Sequence, residues 1–296
     1  MNRVILYMLA SALLLPFNSC IKEDLEECPV QFTVKVFVED KQYINIDDVP
    51  QLGKKDESLP FRDFVGTLYY TLKNRETGAT TLASSFVPVI ESAPYYTINI
   101  NDVPEGMYDL TVWGNVTQDA LAGILHREHV ELTDLYLGSI SVNLKPALQS
   151  AEVKLNRAKG NLVVLCNNFP SNITQLEQDV SSVYQAVEPV TLLTKAEDVP
   201  FKYSGEDNVS KKTTVQPLNQ FFLAPTVSGK TSKVSLHFYD PNDSSAAGSL
   251  RLPDIDVSIS RNKISLISVD YKKETQSVEI WTSIDGKWTL IHKLGI

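Results

Sequence analysis

The feature that most constrains this chain is a two-residue alternation of apolar and polar side chains, which begins at Val30 and recurs along the sequence. In residues 30–38 every second side chain is apolar, and polar residues occupy most of the positions between them. Successive side chains of a strand point to opposite faces, so this pattern predicts a half-buried β-strand. Short strands, frequent turns and almost no long helical periodicity predict an all-β chain of stacked β-sandwiches.

The same reading predicts the other elements of the chain. Residues 119–125 suggest one short helix, and residues 172–187 have a weak helical or irregular character. Residues 153–155 and 162–166 read as paired strands, and a closing hairpin is predicted because two alternating stretches flank Asp285-Gly286. Further strands are predicted at 65–72, 83–89, 95–100, 107–113, 137–144, 213–223, 233–239 and 263–271.

The first nineteen residues have the pattern of a signal peptide. Arg3 supplies a cationic start, and residues 4–17 form an uncharged apolar run. A membrane-spanning helix needs about 20 apolar residues, so this run has the length of a signal-peptide core instead. The small residue Ser19 precedes Cys20, which resembles the lipobox of bacterial lipoproteins although Phe17 replaces the usual leucine. The resemblance implies cleavage before Cys20 and acylation of its thiol, for example with palmitate.

A candidate export signal follows the predicted cleavage site. Lys22, Glu23 and Asp24, with further acidic residues behind them, resemble the export signal of surface lipoproteins in the Bacteroidales. The resemblance implies a lipidated tether at residues 20–29 and a surface-exposed location on the outer membrane. The alternative is a secreted protein without lipid, in which Cys20 merely lies near an ordinary cleavage site.

Composition limits what the tether holds. The chain has 296 residues, 43% of them hydrophobic, which is enough for two packed domains. We predict domains at 30–148 and 149–296, with a boundary near residues 145–150. The formal net charge of −9 argues against nucleic acid as a partner.

Two cysteines remain after Cys20. A disulfide between Cys28 and Cys166 is chemically permitted in an exported protein. The alternative is two separate thiols, with Cys166 acting as a small core residue. The sequence leaves both open.

Sequence motifs resemble the minor fimbrial anchor lipoprotein family of the Bacteroidales, the fimbrillin-anchoring subunits. They are the segment from Cys20 to Pro29 before an alternating strand, the Gly106-x-Tyr108 to Trp113-Gly114 segment, Leu135-Tyr136-x-Gly138-Ser139, and the pair of segments at 153–157 and 161–165. This resemblance implies two tandem transthyretin-like β-sandwiches and no enzymatic activity. The residues themselves indicate no metal site, and we expect no cofactor beyond the lipid on Cys20. The resemblance also implies fimbrial subunits as partners, with the chain setting the attachment and length of the polymer.

One further observation separates an anchor from a repeating subunit. Subunits of related families lose their first strand to a trypsin-like protease, whereas here Arg62 is the first arginine after the leader. The main alternative is a glycan-binding surface lipoprotein, which would be favoured by exposed aromatic clusters. No paired catalytic constellation or metal-ligand spacing was found, since the histidines at 126, 129, 237 and 292 are scattered.

The lipobox resemblance leads to the first testable prediction. The Cys20→Ala variant has no thiol to acylate, so we expect soluble protein and fimbriae to appear in the culture medium. Fractionation of cells and medium checks this. Unchanged membrane retention of the variant would contradict lipidation at Cys20.

Overall fold

The computed structural model of this chain describes residues 31–127, 133–145, 147–190, 200–243, 249–284 and 286–295. Within these ranges the chain is built almost entirely of strands, with one four-residue helix and three short 3-10 turns. The prediction of an all-β fold is therefore confirmed. None of the helices in the described ranges is long and apolar enough to cross a membrane.

The first half forms eight strands. They are β1 Gln31–Val38, β2 Thr67–Asn74, β3 Thr80–Ala83, β4 Val87–Pro88, β5 Tyr96–Asn101, β6 Gly106–Gly114, β7 Tyr136–Leu144 and β8 Leu148–Arg157. Helix α1, Gln118–Leu121, lies between β6 and β7. The 3-10 turns Ile46–Asp48, Pro50–Leu52 and Phe61–Asp63 lie between β1 and β2.

The second half forms ten strands. They are β9 Gly160–Asn167, β10 Gln175–Pro189, β11 Phe201–Thr214, β12 Leu218–Leu223, β13 Ser232–Tyr239, β14 Ser249–Arg251, β15 Ile255–Val257, β16 Ile264–Lys272, β17 Ser277–Ile284 and β18 Lys287–Gly295.

The first sandwich is a single sheet path folded into two layers over one core. One layer has the order β3-β2-β6-β7 with β4 beside β2, and the other has the order β8-β1-β5. They join where Tyr136 and Leu137 of β7 pair with the last residues of β8. Strand β1 is central in its layer, parallel to β8 and antiparallel to β5. Its inward side chains, at positions 32, 34, 36 and 38, are at most 6% exposed.

The second sandwich packs two separate sheets against each other. One sheet has the order β11-β10-β13-β14 with β15 beside β13, and the other has the order β12-β9-β16-β17-β18. Alternate apolar residues of both sheets, such as Leu162, Leu236 and Ile267, are fully buried between them. Each half of the chain thus buries the apolar faces of its central strands, as a sandwich requires.

The passage between the sandwiches lies later in the chain than the sequence predicts. Strand β8 spans the predicted boundary at 148/149, yet it pairs with β1 from Leu148 to Leu155. Strand β9 pairs with β12 and β16 and not with β8, so the predicted pairing of residues 153–155 with 162–166 is wrong. The chain enters the second sandwich at Ala158 and Lys159, both of which are fully buried.

Residues 172–187 were predicted to be helical or irregular, and most of them lie in β10, the longest strand. The buried apolar residues of β10 are Leu176, Val180, Val183 and Val187. Their spacing imitates a helical face because a β-bulge between Val180 and Val183 shifts the alternation by one residue. Ser182 in the bulge has a positive φ of 55°.

On one side of the junction, residues 43–52 of the first sandwich cover the outer face of β9 and β16. Ile46 and Val49 pack against Val163 and Leu266 in a small separate core. The side chain of Asn45 also bonds to the main chain of Ile264. Its Nδ2 donates to Ile264 O (2.9 Å), and its Oδ1 accepts from Ile264 N (2.8 Å). The inter-strand loop therefore belongs structurally to both sandwiches.

On the other side, the segment after α1 adds to the edge of β10. Leu125 N donates to Gln185 O (3.0 Å), and Val187 N donates to Gly123 O (2.8 Å). Trp113 and Leu137, from motifs in the first sandwich, pack into the core cluster of the second. Gly138 is required nearby, because a Cβ there would lie 2.4 Å from Lys154 O.

The buried side chain of Arg157 also links the two sandwiches. Its Nε donates to Asp134 Oδ2 (2.8 Å), and one terminal nitrogen donates to Asn262 Oδ1 of the second sandwich (3.0 Å). The guanidinium lies over the rings of Tyr43 (4.1 Å) and Tyr136 (5.2 Å). Burial alone would lower the pKa of Arg157, but the Asp134 carboxylate together with Tyr136 and Tyr43 outweighs this and raises the pKa above the ordinary value. The junction therefore contains a permanent positive charge.

This arrangement predicts unequal effects for two substitutions in β8. Arg157→Ala leaves the buried Asp134 carboxylate without its partner, so we expect a loss of about 3–5 kcal/mol in the free energy of unfolding. Lys154→Ala removes an exposed pair with Glu39 (3.0 Å), for which we expect about 0–1 kcal/mol. Urea unfolding of the two variants checks this. Similar losses for both would mean that the Arg157 network does not stabilise the junction.

Candidate partner-binding edge

The closing hairpin places the last strand at the free edge of a sheet. Strands β17 and β18 pair antiparallel from Ile284↔Lys287 to Ser277↔Gly295, as the alternating pattern predicted. Gly286 in the turn has φ 72°, which suits glycine. The turn lies against the first sandwich, since a Cβ on Gly286 would be 2.9 Å from Asp48 Oδ1. In the described part of the chain, the other side of β18 pairs with no strand.

The two faces of β18 differ. A bulge opposite Ile280 and Trp281 leaves Ile291 as an extra residue, because Trp281 pairs with Leu290 and Ile280 with His292. Ile291 and Leu294 pack against the core cluster of the second sandwich. Before the bulge, alternate residues of β18 point away from that core.

Trp288 and Leu290 are the exposed pair on this outward face. They are 42% and 41% exposed, and their separation of two residues places both on one side of the strand. The other large apolar side chains with high exposure, at positions 44, 86, 90 and 148, lie in loops or at the end of a strand. An apolar pair on a free edge is the geometry that strand addition uses, with main-chain hydrogen bonds and alternate side-chain contacts.

The charge of this edge also distinguishes it. Strand β18 carries Lys287 and Lys293 and no acidic residue, on a chain whose formal net charge is −9. Lys293 Nζ pairs with Glu279 Oε1 (2.9 Å), whereas Lys287 is exposed at the start of the strand. The edge therefore favours a partner segment without basic residues.

Two other edge strands in the described part of the chain, β11 and β5, have polar surfaces. The exposed side chains of β11 include Lys202, Glu206 and Lys212, and those of β5 are polar. Charged and polar edge residues discourage the addition of a further strand. Strand β18 is less protected against the addition of a further strand, because it has only its bulge and the lysines near its two ends.

The first strand is not available for exchange in this structure. The four buried side chains of β1 contribute about 1.5–3 kcal/mol each through removal from water. Arg62, exposed in the loop after β1, donates to Ile90 O (2.8 Å). Between Arg62 and β1 lie residues 43–52, which are packed on the second sandwich.

Most of the predicted site residues lie outside the described ranges. These are Cys20, Lys22, Glu23, Asp24 and Cys28, so lipidation, export and pairing of Cys28 stay predictions.

Cys166 is described, and it lies in β9 as a buried free cysteine. Its Sγ accepts a hydrogen bond from Asn219 Nδ2 (3.4 Å). Burial raises the pKa of the Cys166 thiol to about 12, which makes it a poor nucleophile and a poor metal ligand.

The described histidines have local packing roles. His126 Nε2 accepts from Ala224 N (2.9 Å), and burial lowers the pKa of His126 to about 3, so its ring is neutral. His237 stacks on Tyr239 with ring centroids 4.9 Å apart. Among the described residues no group of three or more His, Cys, Asp or Glu could hold a metal ion. His129 lies outside the described ranges.

Comparison with known proteins shows which solved structures have a similar fold. No family model matches the chain, and no curated protein sequence matches it. Solved structures do match. One from Bacteroides thetaiotaomicron, provisionally described as polysaccharide binding, covers 89% of this chain and 98% of its own, with a TM-score of 0.51 and 12% identity.

Two further matches have lower scores. A structure from Bacteroides ovatus, provisionally described as an adhesin, covers 92% of this chain and 97% of its own, with a TM-score of 0.49 and 10% identity. The match to the fimbrial anchor protein Mfa2 from Porphyromonas gingivalis covers 90% of this chain and 97% of Mfa2, with a TM-score of 0.44 and 11% identity. The structural neighbours of this chain thus include fimbrial proteins of the Bacteroidales, and at these identities the likeness concerns the fold.

The state of Cys166 gives a test of the cysteine alternatives. We expect Cys166 to resist iodoacetamide in the folded protein, because a rise in pKa from 9.0 to about 12 lowers its thiolate fraction about a thousandfold. In guanidinium without a reductant, it should react fully. Mass spectrometry of the labelled peptide checks both steps. A Cys166 that reacts after unfolding only when a reductant is added would instead indicate a disulfide.

Proposed function

We propose that this chain is a surface lipoprotein that anchors a fimbria to the outer membrane and limits its length. The lipid on Cys20 is its membrane attachment, and a fimbrial subunit (a fimbrillin) is its partner. Strand β18 provides the contact. The role is structural, without catalysis and without a cofactor beyond the lipid.

The observation that carries this proposal is the separation of the membrane end from the free edge. Gln31, the first described residue after the tether, pairs with Leu148 at the start of β8. The ten residues of β8 run about 30 Å from there to Arg157, where the second sandwich begins. Strand β18 belongs to that second sandwich. A subunit bound at β18 therefore lies beyond the first sandwich, away from the bilayer.

The state of β1 supports an anchor over a repeating subunit. A subunit that receives a strand from its neighbour needs an open groove in its sheet, whereas β1 fills the centre of its layer here. The polymer thus has one point of contact on this chain, at β18, and cannot continue through the first sandwich. A chain with a single contact for the polymer would end the fimbria at that point, as an anchor does.

A glycan-binding lipoprotein is the second candidate. It is favoured by the provisional description of the Bacteroides thetaiotaomicron structure as polysaccharide binding. The exposed ring of Trp288 is the kind of surface on which sugars stack.

A pull-down from surface-labelled cells separates the two candidates, combined with the intact mass of the N-terminal peptide. We expect recovery of a fimbrial polymer together with an acylated Cys20. Acylated Cys20 without a fimbrial partner, in a protein retained on a glycan column, would favour the second candidate. A peptide mass without acyl chains would contradict the anchor.

Substitutions on β18 test the proposed contact. A lysine at position 288 or 290 places a charge where the partner strand packs, so Trp288→Lys and Leu290→Lys should reduce fimbrial capture at least tenfold. Both side chains are exposed, so urea unfolding should change little. Ile90→Lys is the matched control, because Ile90 is 73% exposed on the first sandwich. Wild-type capture by both β18 variants would place the contact elsewhere.

A further inference from the structure

A cleft between the sandwiches has no role in the fimbrial proposal. Its volume is about 370 Å³, and it is lined by residues 41–43, Gly53 and Lys55 of the first sandwich and by Gln220 and Phe222 of β12. Strand β12 is at the opposite end of its sheet from β18, four strands away or about 19 Å. Small-ligand sites commonly occupy clefts of this size between domains.

Two lysines converge on this cleft. Lys41 Nζ and Lys55 Nζ lie 5.6 Å and 5.4 Å from the ring centroid of Phe64. Lys41 donates to Glu57 O, and Lys55 donates to Asp63 O (2.8 Å), so each ammonium keeps further N–H donors.

Neither lysine forms an ion pair within the described ranges, in contrast to many other lysines of the chain. Lysines 54, 154, 212, 230, 272 and 293 each lie beside a carboxylate. The carboxylate of Asp56, which is close enough to feel the charge of Lys41, accepts hydrogen bonds from Ser58 instead. The cleft therefore presents two positive charges without a contacting anion.

The wall of the cleft at the junction carries a hydrogen-bond acceptor. Asp134 lines the cleft, and its buried Oδ1 atom has no hydrogen-bond partner within the described part of the chain. Gln220 Oε1 accepts from Asn161 Nδ2 (3.0 Å), which leaves the amide N–H groups of Gln220 for the cleft. A ligand with several hydroxyl groups offers both the donors and the acceptors that this wall lacks.

We propose that this cleft binds an acidic saccharide, a sugar that carries a carboxylate. The carboxylate faces Lys41 and Lys55, and the hydroxyl groups hydrogen-bond to Gln220 and to Asp134 Oδ1. A simple anion satisfies the lysines alone, and a neutral sugar satisfies the wall alone. The inference does not depend on the fimbrial proposal, because the cleft and β18 are separate.

Ligand-observed saturation-transfer NMR and calorimetry on the mature chain test this, with D-glucuronate as the probe. D-glucose and acetate are the control ligands: glucose has the sugar hydroxyl groups without the carboxylate, and acetate has the carboxylate without the sugar. We expect glucuronate to bind at least tenfold more tightly than either, and to weaken at high salt because the lysines are near solvent. Lys41→Met and Lys55→Met should each reduce affinity at least fivefold. Lys233→Met, an exposed lysine on β13, is the control and should change nothing.

Three outcomes would overturn the proposal. One is the absence of any glucuronate binding at millimolar concentration. Another is acetate binding as tightly as glucuronate, which would indicate an anion site without sugar recognition. The third is equal glucuronate affinity in the wild type and in both cleft variants. Because fimbrial capture is measured with the β18 variants, failure of either experiment leaves the other interpretable.

Discussion

The buried guanidinium of Arg157 is the interaction on which the rest of the structure depends. A charge removed from water is tolerated only when its hydrogen bonds and its counter-charge are provided locally. Here the counter-charge, Asp134, precedes β7, while Asn262 belongs to the second sandwich. The main-chain N of Arg157 also donates to Asp40 Oδ2, just beyond β1. The side chain and the main chain of this one residue thus require three distant segments to meet at the end of β8.

That requirement explains why the two sandwiches share more than a linker. Asp40 also receives a hydrogen bond from Arg261, so the loop after β1 is connected to the second sandwich. Apolar contacts then close around this polar centre, with residues 43–52 on one side and the segment after α1 on the other. The directional hydrogen bonds of the polar centre restrict these apolar contacts to one geometry. The family-like motif residues Trp113, Tyr136 and Gly138 all lie at or next to this junction.

The elements that were predicted best from the sequence are those that are determined by residues close together in the chain. The closing hairpin was correct because strand alternation and the turn are encoded within about fifteen residues. Strand β10 was missed because its bulge converts a period of two into the spacing of a helix. Strand β11 was missed except for its C-terminal end, since its exposed polar side chains show little alternation. The passage between the sandwiches could not be placed, because the partner of β8 is β1, more than a hundred residues away.

The candidate site shows the same limit. Trp288 was visible in the sequence, but its exposure depends on the position of β18 at the edge of its sheet, which is a property of the sheet order. The two lysines of the cleft are fourteen positions apart and meet because both ammonium groups lie over the ring of Phe64. Neither feature has a local signal, since each follows from contacts between distant segments.

The parallel pairing of β1 with β8 has a mechanical consequence. A chain held at residue 31 and pulled through the second sandwich is stretched between the start of β1 and the end of β8. These strands run in the same direction, so such a force slides one along the other and stretches all their hydrogen bonds together. An antiparallel hairpin pulled at its two ends would open one bond at a time. The first sandwich is thus arranged to resist tension along its strands, in shear.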